Sequence, residues 1–336
     1  MEYRRLKDID IEANSNNRVY ILFCACDVEV RQQKNGGKFI SLNMCDRGIK
    51  VNAKIFSISD NDAEKMQNGK VYAAAVDIKP YNGKASCVIY NFEVYEDDPK
   101  KYIDVCETAE AAYSIIQEAF AKIKDPVYRS IAQNLVIGNW TNFSSWSAAK
   151  SMHHSALSGL MAHTGEVVKQ AELLGDFWNS IYGHGFVNMD LLLAGALLHD
   201  IGKLHELDVD TNTGITKYST EAALIPHIVF GVQMIWYEAC KLGIGFKSNR
   251  QNQDLEMETE KLNLLTHLIL SHHGIKEYGS PIEPSCPEAL ILSMADDGSA
   301  KMFRMHNSLK QLKPGAVDET YIGGERKFVY KSRDKQ

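Results

Sequence analysis

The sequence lacks the features of a membrane-spanning or secreted protein. No run approaches the about 20 consecutive apolar residues that cross a bilayer, and the first residues, MEYRRLKD, lack the apolar segment of a signal peptide. The seven cysteines are odd in number and irregularly spaced, so they predict no disulfide framework. We therefore expect a cytoplasmic protein with reduced thiols.

The sequence also lacks an excess of positive charge. Its net charge is −6, with 37 Lys and Arg against 43 Asp and Glu in 336 residues. This balance disfavours a protein that binds nucleic acid over its whole surface, but it allows a local basic groove. The length and the 45% hydrophobic content provide two or three domains with a sizeable core.

The first part of the chain reads as β-structure. Strand patterns cover residues 18–30, 39–45, 49–55, 71–78 and 85–95, and a short helix pattern at 60–68 follows the third strand. Five strands with a helix after the third are typical of an OB-fold. We expect residues 1–98 to form a five-stranded OB-fold β-barrel that binds nucleic acid.

Aromatic rings lie among lysines on the second and third of these strands. Single-stranded nucleic acid requires rings that stack on bases and ammonium groups that pair with phosphates. The predicted binding residues are Lys38, Phe39, Lys50, Lys54 and Phe56. A solvated strand face whose aromatics are covered by a neighbouring domain explains the pattern equally well.

The rest of the chain is almost entirely helical in pattern. Helices are predicted at 109–124, 127–137, 155–174, 190–198, 222–242, 255–273 and 287–303. The almost wholly apolar segment 190–198 should be the central, buried helix. We expect a multidomain α and β protein, with an all-α helical bundle at 99–325 after the barrel and a basic flexible tail at 326–336. Solubility is the favoured role of that tail.

A metal site is predicted where the central helix ends. His199 and Asp200 are consecutive at that point, His163 lies in a second helix, and Asp296 follows an apolar stretch in a third. A buried carboxylate requires a cation. Two imidazoles and two carboxylates suit Mn²⁺ or Fe²⁺ and leave room for water.

Three further histidines could complete a second metal site with Asp200 as the bridging ligand: His227, His272 and His273. Two such ions would hold a shared hydroxide and clamp a phosphodiester. A straight helix would point His272 and His273 about 100° apart, although Gly274 ends the helix there. Alternatively, one of the two is a ligand and the other contacts substrate.

The longer motifs resemble a known family. His163, His199–Asp200 and Asp296 resemble the H…HD…D signature of HD-domain metal-dependent phosphohydrolases. The segments HHSALSGLMAHT at 153–164, LLHDIGK at 197–203, LSHHG at 270–274, EYGSP at 277–281 and AKM at 300–302 resemble the YhaM family of 3′→5′ exoribonucleases. The resemblance covers nearly the whole chain and implies an OB-fold followed by an HD domain.

The resemblance implies a metal-dependent 3′→5′ exoribonuclease that hydrolyses single-stranded RNA, and often single-stranded DNA, to nucleoside 5′-monophosphates. Mn²⁺ is the expected metal, with Fe²⁺ or Mg²⁺ as alternatives and one or two ions bound. A metal-bound hydroxide would be the nucleophile. Three positions depart from the family pattern: Ser299 stands where a second acid is common, Ser293 where His is usual, and Ala162 where Glu is common. These departures bear on substrate choice more than on the metal.

Roles for the remaining candidates follow from their chemistry. Asp200 and Lys203 are the predicted catalytic residues, with Lys203 stabilising charge on the phosphate; a surface lysine is the alternative. Substrate contacts are predicted for His153, His154, Glu277, Tyr278 and Ser280. His153 and His154 could instead support the metal ligands, and the 277–281 loop could be a purely structural turn.

Two other functions compete with RNA degradation. A phosphohydrolase of cyclic dinucleotides or small nucleotides is favoured by the large ligand set and the acidic net charge, and disfavoured by the OB face. A non-catalytic RNA-binding scaffold is disfavoured by the intact ligand set. We expect no membrane partner, and the sequence leaves a homo-oligomer open.

Overall fold

The computed structural model divides the chain into two units. It describes residues 2–11, 13–14, 16–33, 37–47, 49–56, 58–81, 84–150, 154, 156–245 and 253–334. The first unit comprises Met1–Val105 and Val209–Ile215, and the second comprises Cys106–Asp208 and Thr216–Gln336. The second unit thus begins at Cys106, a few residues later than the boundary at 98 that the sequence predicts.

The first unit is a closed β-barrel. Its elements are β1 (Arg4–Arg5), β2 (Arg18–Gln32), β3 (Lys38–Asp46), β4 (Ile49–Phe56), α1 (Asp60–Lys65), β5 (Val71–Tyr81) and β6 (Lys84–Val94). The sheet order is β1-β2-β3-β4-β6-β5, and an additional β2–β5 pairing closes the barrel. All of these pairs are antiparallel except β1–β2 and β4–β6. The five-stranded OB-like barrel is therefore confirmed.

Alternation along the strands produces this barrel. In β3, Ile40, Leu42 and Met44 are buried while the residues between them are partly exposed. Successive side chains of a strand point to opposite faces, so one face fills the barrel core and the other faces outward. The aromatic rings Phe23 and Tyr72 complete the core.

The second unit is a helical bundle. Its helices are α2 (Ala109–Lys122), α3 (Pro126–Gly138), α4 (Trp140–Ser145), α5 (Gly159–Tyr182), α6 (Met189–Leu198), α7 (Lys203–Glu206), α8 (His227–Lys241), α9 (Gln253–Ser271) and α10 (Pro287–Gln311). The chain also contains two short hairpins: β7 (Leu207–Asp210) with β8 (Ile215–Tyr218), of which Val209–Ile215 belongs to the first unit, and β9 (Val317–Ile322) with β10 (Glu325–Tyr330). The predicted bundle is confirmed, but these two hairpins were not predicted.

Helix α6 is the centre of the bundle. Every residue from 191 to 198 is buried, and the Asn188 side chain accepts a hydrogen bond from the Leu191 N–H at its start. A helix that is apolar on all sides must be surrounded by other helices, and α6 contacts α3, α5, α9 and α10. The end of α6 therefore places His199 inside the unit.

The final segment differs from the flexible tail that the sequence analysis expects. Glu325–Tyr330 is strand β10, paired along its length with β9. Ile322 and Val329 are buried on one side of this hairpin, and this burial holds a segment whose basic composition suggested a loose tail. Lys335 and Gln336 lie outside the described residues.

Candidate metal centre

Three predicted ligands from three helices form one cluster. His163 lies in α5, His199 directly follows α6, and Asp296 lies in α10. The Nε2 atoms of the two histidines are 3.1 Å apart, and the Asp296 Oδ1 lies 3.0 Å from the His163 Nε2. One atom from each residue lies within 4.8 Å of the others, so the three side chains converge on a common centre.

The four other predicted ligands form a second cluster. They are Asp200, His227, His272 and His273, and one atom from each lies within 4.8 Å of the others. The Asp200 Oδ1 lies 3.6 Å from the His227 Nε2 and 3.8 Å from the His272 Nε2. Gly274 follows the histidine pair with a φ of +82°. The chain turns there, and both imidazoles face the same cluster.

Asp200 joins the two clusters. Its Oδ2 lies 3.4 Å from the Nε2 atoms of both His163 and His199, while its Oδ1 faces the second cluster. The Lys203 ammonium donates to the Oδ2 at 2.6 Å. A carboxylate with one oxygen toward each cluster has the arrangement required of a bridging ligand.

Hydrogen bonds at Nδ1 fix the histidine tautomers. The Nδ1 atoms of His199, His272 and His273 lie 2.9, 2.7 and 2.8 Å from the backbone oxygens of Ala196, Ile269 and Tyr278. A carbonyl oxygen only accepts, so each Nδ1 carries the proton and donates it. In a neutral imidazole this leaves the Nε2 lone pair for a metal ion.

Glu206 plays the same part for His227. Its Oε1 accepts from the His227 Nδ1 at 3.0 Å and from the His227 backbone N–H at 2.9 Å. The second bond satisfies a free N–H at the start of α8. Gly202 packs against this turn, where a Cβ would lie 2.0 Å from the His227 carbonyl oxygen.

The donor set fits a divalent cation. Among the seven clustered residues, three buried atoms have no hydrogen-bond partner in the described part of the chain: the Asp200 Oδ1, the His227 Nε2 and the His272 Nε2. Burying such polar atoms without partners costs free energy. All three belong to the second cluster, and imidazole and carboxylate together suit Mn²⁺, Fe²⁺ or Zn²⁺.

The electrostatics keep the acids ionised and lower the pKa of His163, His272 and His273, whereas at His199 burial is outweighed by the neighbouring Asp200, which raises the pKa. Burial would raise the pKa of Asp200, but the charges of Lys203 and His199 outweigh it and hold that pKa well below its usual range. Burial lowers the pKa of His163, and burial together with His273 lowers that of His272 well below its usual range. Metal ligands must be deprotonated, so the lowered pKa values favour cation binding.

A buried hydrogen-bond chain supports His163 from behind. Its Nδ1 lies 3.0 Å from the Ser299 Oγ, and the Ser299 hydroxyl donates to the Glu166 Oε2 at 2.7 Å. Because that hydroxyl donates to the carboxylate, its oxygen is left to accept from the His163 Nδ1. Ser299 and Glu166 therefore orient His163 together. Ser299 occupies the position where the family pattern has a second acid.

His154 belongs to this buried hydrogen-bond chain and does not lie at the surface. It is fully buried, with its Nε2 3.2 Å from Glu166 and its Nδ1 3.4 Å from the Cys106 Sγ. Its ring lies against Phe303, with centroids 4.0 Å apart. This buried position favours the alternative that His154 supports the metal ligands, and its substrate contact stays a prediction. His153 lies outside the described residues.

The 277–281 loop holds the imidazole of His273, one of the predicted metal ligands. The Tyr278 backbone oxygen accepts from His273, while the side chains of Glu277 and Tyr278 are exposed. Ser280 is 2% exposed, so its hydroxyl is not available at the surface. The loop orients His273, and its substrate contacts stay a prediction.

The predicted nucleic-acid face lies on β3 and β4 of the first unit. Phe39 and Phe56 are cross-strand partners with stacked rings 5.9 Å apart, and Phe56 is 46% exposed. Lys50 and Lys54 share this face by alternation, and Lys50 pairs with Asp27 at 2.8 Å. Lys38 precedes Phe39 and so points, like Ile40, to the other side of the strand.

Sequence reasoning missed two carboxylates. Glu166 lies three residues after His163 on the same helix face, and Glu206 lies three residues after Lys203. That spacing was a usable signal for Glu166. The partner of Glu206, His227, is distant in sequence and only the fold reveals the contact.

Comparisons with known proteins agree with this geometry. The model of the HD domain matches residues 160–301, a range that contains all seven clustered residues. The chain is 30% identical over 303 residues to a protein named 3′-5′ exoribonuclease YhaM from Bacillus subtilis (strain 168), covering 88% of this chain and 89% of that protein. The proteins of that name from Bacillus pumilus (strain SAFR-032) and Listeria monocytogenes serotype 4b (strain F2365) are 31% and 30% identical, with the same coverage.

The fold and the two ligand clusters define an HD-domain enzyme of the metal-dependent phosphodiesterase class. Within that class, the chain belongs to the YhaM family of 3′-5′ exoribonucleases. Among the described residues, no helix is long and apolar enough to span a membrane.

Proposed function

We propose that this protein removes nucleotides from the 3′ end of single-stranded RNA, releasing nucleoside 5′-monophosphates. The observation that carries the proposal is Asp200, whose two oxygens face two separate groups of imidazole nitrogens. Family membership supports RNA as the substrate, because the relatives are named exoribonucleases. Single-stranded DNA is a second polymer that the same chemistry would accept.

Seven residues would hold the metal. His163, His199 and Asp296 would bind one ion and His227, His272 and His273 a second, with Asp200 between them. When bound, such ions lower the pKa of water and stabilise negative charge on a phosphate. We propose Mn²⁺ as the natural metal, because mixed imidazole and carboxylate ligands suit it.

The protein's own residues prepare this chemistry. Backbone oxygens and Glu206 hold the imidazoles with Nε2 directed inward. Lys203 is 8% exposed, and its ammonium group donates to Asp200 at 2.6 Å. An ammonium at this position would stabilise a phosphate group that gains negative charge. Fixed donors and charges of this kind need no reorganisation during the reaction.

The barrel face would hold the polymer. Phe39 and Phe56 offer stacked, partly exposed rings, and Lys54 lies beside them on the same face. Bases stack on such rings without sequence preference, and lysines pair with phosphates. We further propose a cytoplasmic location, which the seven free thiols support.

Product analysis tests the proposal. A 5′-labelled 20-nucleotide RNA is incubated with the protein and Mn²⁺, Mg²⁺ or a chelator. We expect a ladder of progressively shorter labelled RNAs and nucleoside 5′-monophosphates with Mn²⁺, and neither with the chelator. His199→Ala should abolish this activity, whereas His184→Ala, an exposed residue outside both clusters, should not.

Two results would contradict the proposal. Cleavage of a circular RNA would identify an endonuclease. Efficient hydrolysis of a cyclic dinucleotide with an inert linear RNA would identify a small-nucleotide phosphodiesterase, which the same two clusters could also serve.

A further inference from the structure

The β9–β10 hairpin has two different faces. Antiparallel pairing places Tyr321 opposite Arg326, Glu319 opposite Phe328 and Val317 opposite Tyr330, all on one face. The other face contains Ile322 and Val329, which are 7% and 1% exposed, and the hairpin contacts α10. The hairpin is therefore fixed by one face, while the other face is turned outward.

Three aromatic rings lie on the outward face. Phe328 is 78% exposed, Tyr330 57% and Tyr321 53%. Single exposed apolar residues need no explanation, but a contiguous exposed group indicates an interaction surface. Along β10, successive residues of this face lie about 7 Å apart, a spacing that an extended single strand of nucleic acid can follow.

The hairpin lies in the most basic part of the chain. Residues 301–336 contain nine Lys and Arg against four Asp and Glu, whereas residues 1–300 contain 28 against 39. The Arg326 guanidinium lies 5.6 Å from the Tyr321 ring centroid. Glu319 forms an ion pair with Arg326, and Glu325 forms one with Lys327. These pairs neutralise part of the positive charge.

Other cationic side chains at the base of the hairpin are not neutralised by such ion pairs. Of the described carboxylates, none forms an ion pair with Lys313, Lys331 or Arg333. Arg304 of α10 donates to the Tyr321 backbone oxygen at 2.8 Å, so its charge also lies at the hairpin. Positive charge therefore lies on the same hairpin as the outward rings and at its base.

We propose that this outward face is a second binding surface for single-stranded RNA, located on the catalytic unit itself. The inference rests on the proposed function for the identity of the polymer. Helix α10 carries Asp296 and, eight residues later, Arg304, which is about 12 Å along the helix axis. A strand held by the hairpin would therefore lie within a few nucleotides of the metal centre.

Charge favours RNA over a second copy of this chain. In a two-fold symmetric contact the same patch meets itself, so the cations of one hairpin would face those of the other. RNA supplies the opposite combination, with flat bases for the rings and one phosphate per nucleotide for the cations.

Binding without catalysis tests the surface. The affinity of a fluorescent 12-nucleotide oligo(U) is measured by anisotropy in chelator, for the full-length protein and for Phe328→Ala and Tyr330→Ala. We expect Kd to rise about tenfold for each ring removed. The control variants are Phe177→Ala and Tyr182→Ala, which remove rings of similar exposure, 51% and 63%, from α5. Equal affinities for hairpin and control variants would overturn the proposal.

Two further measurements distinguish this binding surface from the proposed nuclease function and from a contact between copies of the protein. All variants must hydrolyse bis-p-nitrophenyl phosphate at the wild-type rate, which shows that the metal centre is intact. If the wild-type protein fails to degrade RNA but its binding still depends on Phe328, the proposed function fails and the surface stands. If Phe328→Ala only abolishes self-association in sedimentation, with unchanged RNA affinity, the surface is a contact between copies and the inference is wrong.

Discussion

Removing the Ser299 hydroxyl should weaken metal binding without altering any predicted ligand. Ser299 is 1% exposed and connects the His163 Nδ1 to Glu166 through contacts of 3.0 and 2.7 Å. Ser299→Ala removes both contacts and keeps the backbone and the helix. The His163 ring would then lose the acceptor that orients its Nε2 toward Asp296.

The expected loss of Mn²⁺ affinity follows from the burial of the hydrogen bonds that Ser299 makes. A buried hydrogen bond left unmade costs about 1–3 kcal/mol, and a tenfold change in affinity corresponds to about 1.4 kcal/mol. Loss of a group that orients a metal ligand typically costs 10–100-fold in metal affinity or activity. We therefore expect the Mn²⁺ affinity of Ser299→Ala to fall by about 10–100-fold.

Calorimetric titration of the metal-free protein with Mn²⁺ measures this directly, and the dependence of RNA degradation on Mn²⁺ concentration provides a second readout. Ser299→Thr keeps the hydroxyl and should restore most of the affinity. The control is Ser130→Ala, whose hydroxyl donates only to carbonyl oxygens of its own helix. If Ser299→Ala binds Mn²⁺ as tightly as Ser130→Ala, the hydrogen bonds through Ser299 and Glu166 do not position His163.

Three other changes have defined outcomes. His272→Ala should lower the Mn²⁺ stoichiometry from two to one in calorimetry and reduce RNA degradation at least tenfold; an unchanged stoichiometry would contradict the second cluster. Gly202→Ala should lower Tm strongly in calorimetric melting, because its Cβ would meet the His227 oxygen at 2.0 Å. Glu172, in an ion pair with Lys122, should stabilise the fold only when ionised. Burial would raise the pKa of Glu172, but Lys122 and Lys169 outweigh it and hold it below its usual value of 4.5. The stability that Glu172→Gln removes at neutral pH, about 0.5 kcal/mol, should therefore vanish in urea titrations as the pH falls through this lowered pKa.

The elements that depend on local pattern were predictable from the sequence. Period-two alternation predicted the barrel strands, and the apolar segment before His199 predicted the central helix. The seven ligand candidates were selected by residue type and by their place at helix ends, and the structure brings them into two clusters.

The supporting residues were not predictable in the same way. Ser299 and Glu166 are 133 residues apart, and their contact exists only because α5 packs on α10. The burial of His154 likewise depends on Phe303, far along the chain. The basic composition of β10 obscured this strand, because nothing in the local sequence indicates that Val329 is buried.

The hydrogen bonds at Nδ1 have a consequence for how the protein gains and loses its ions. All five imidazoles are anchored at Nδ1 by oxygens of the folded protein, namely those of Ala196, Ile269, Tyr278, Glu206 and Ser299. The rings are thus oriented by the fold and not by the cation. A protein stripped by chelation should keep its binding geometry and refill without refolding, so reloading would be governed by the dehydration of the incoming ion.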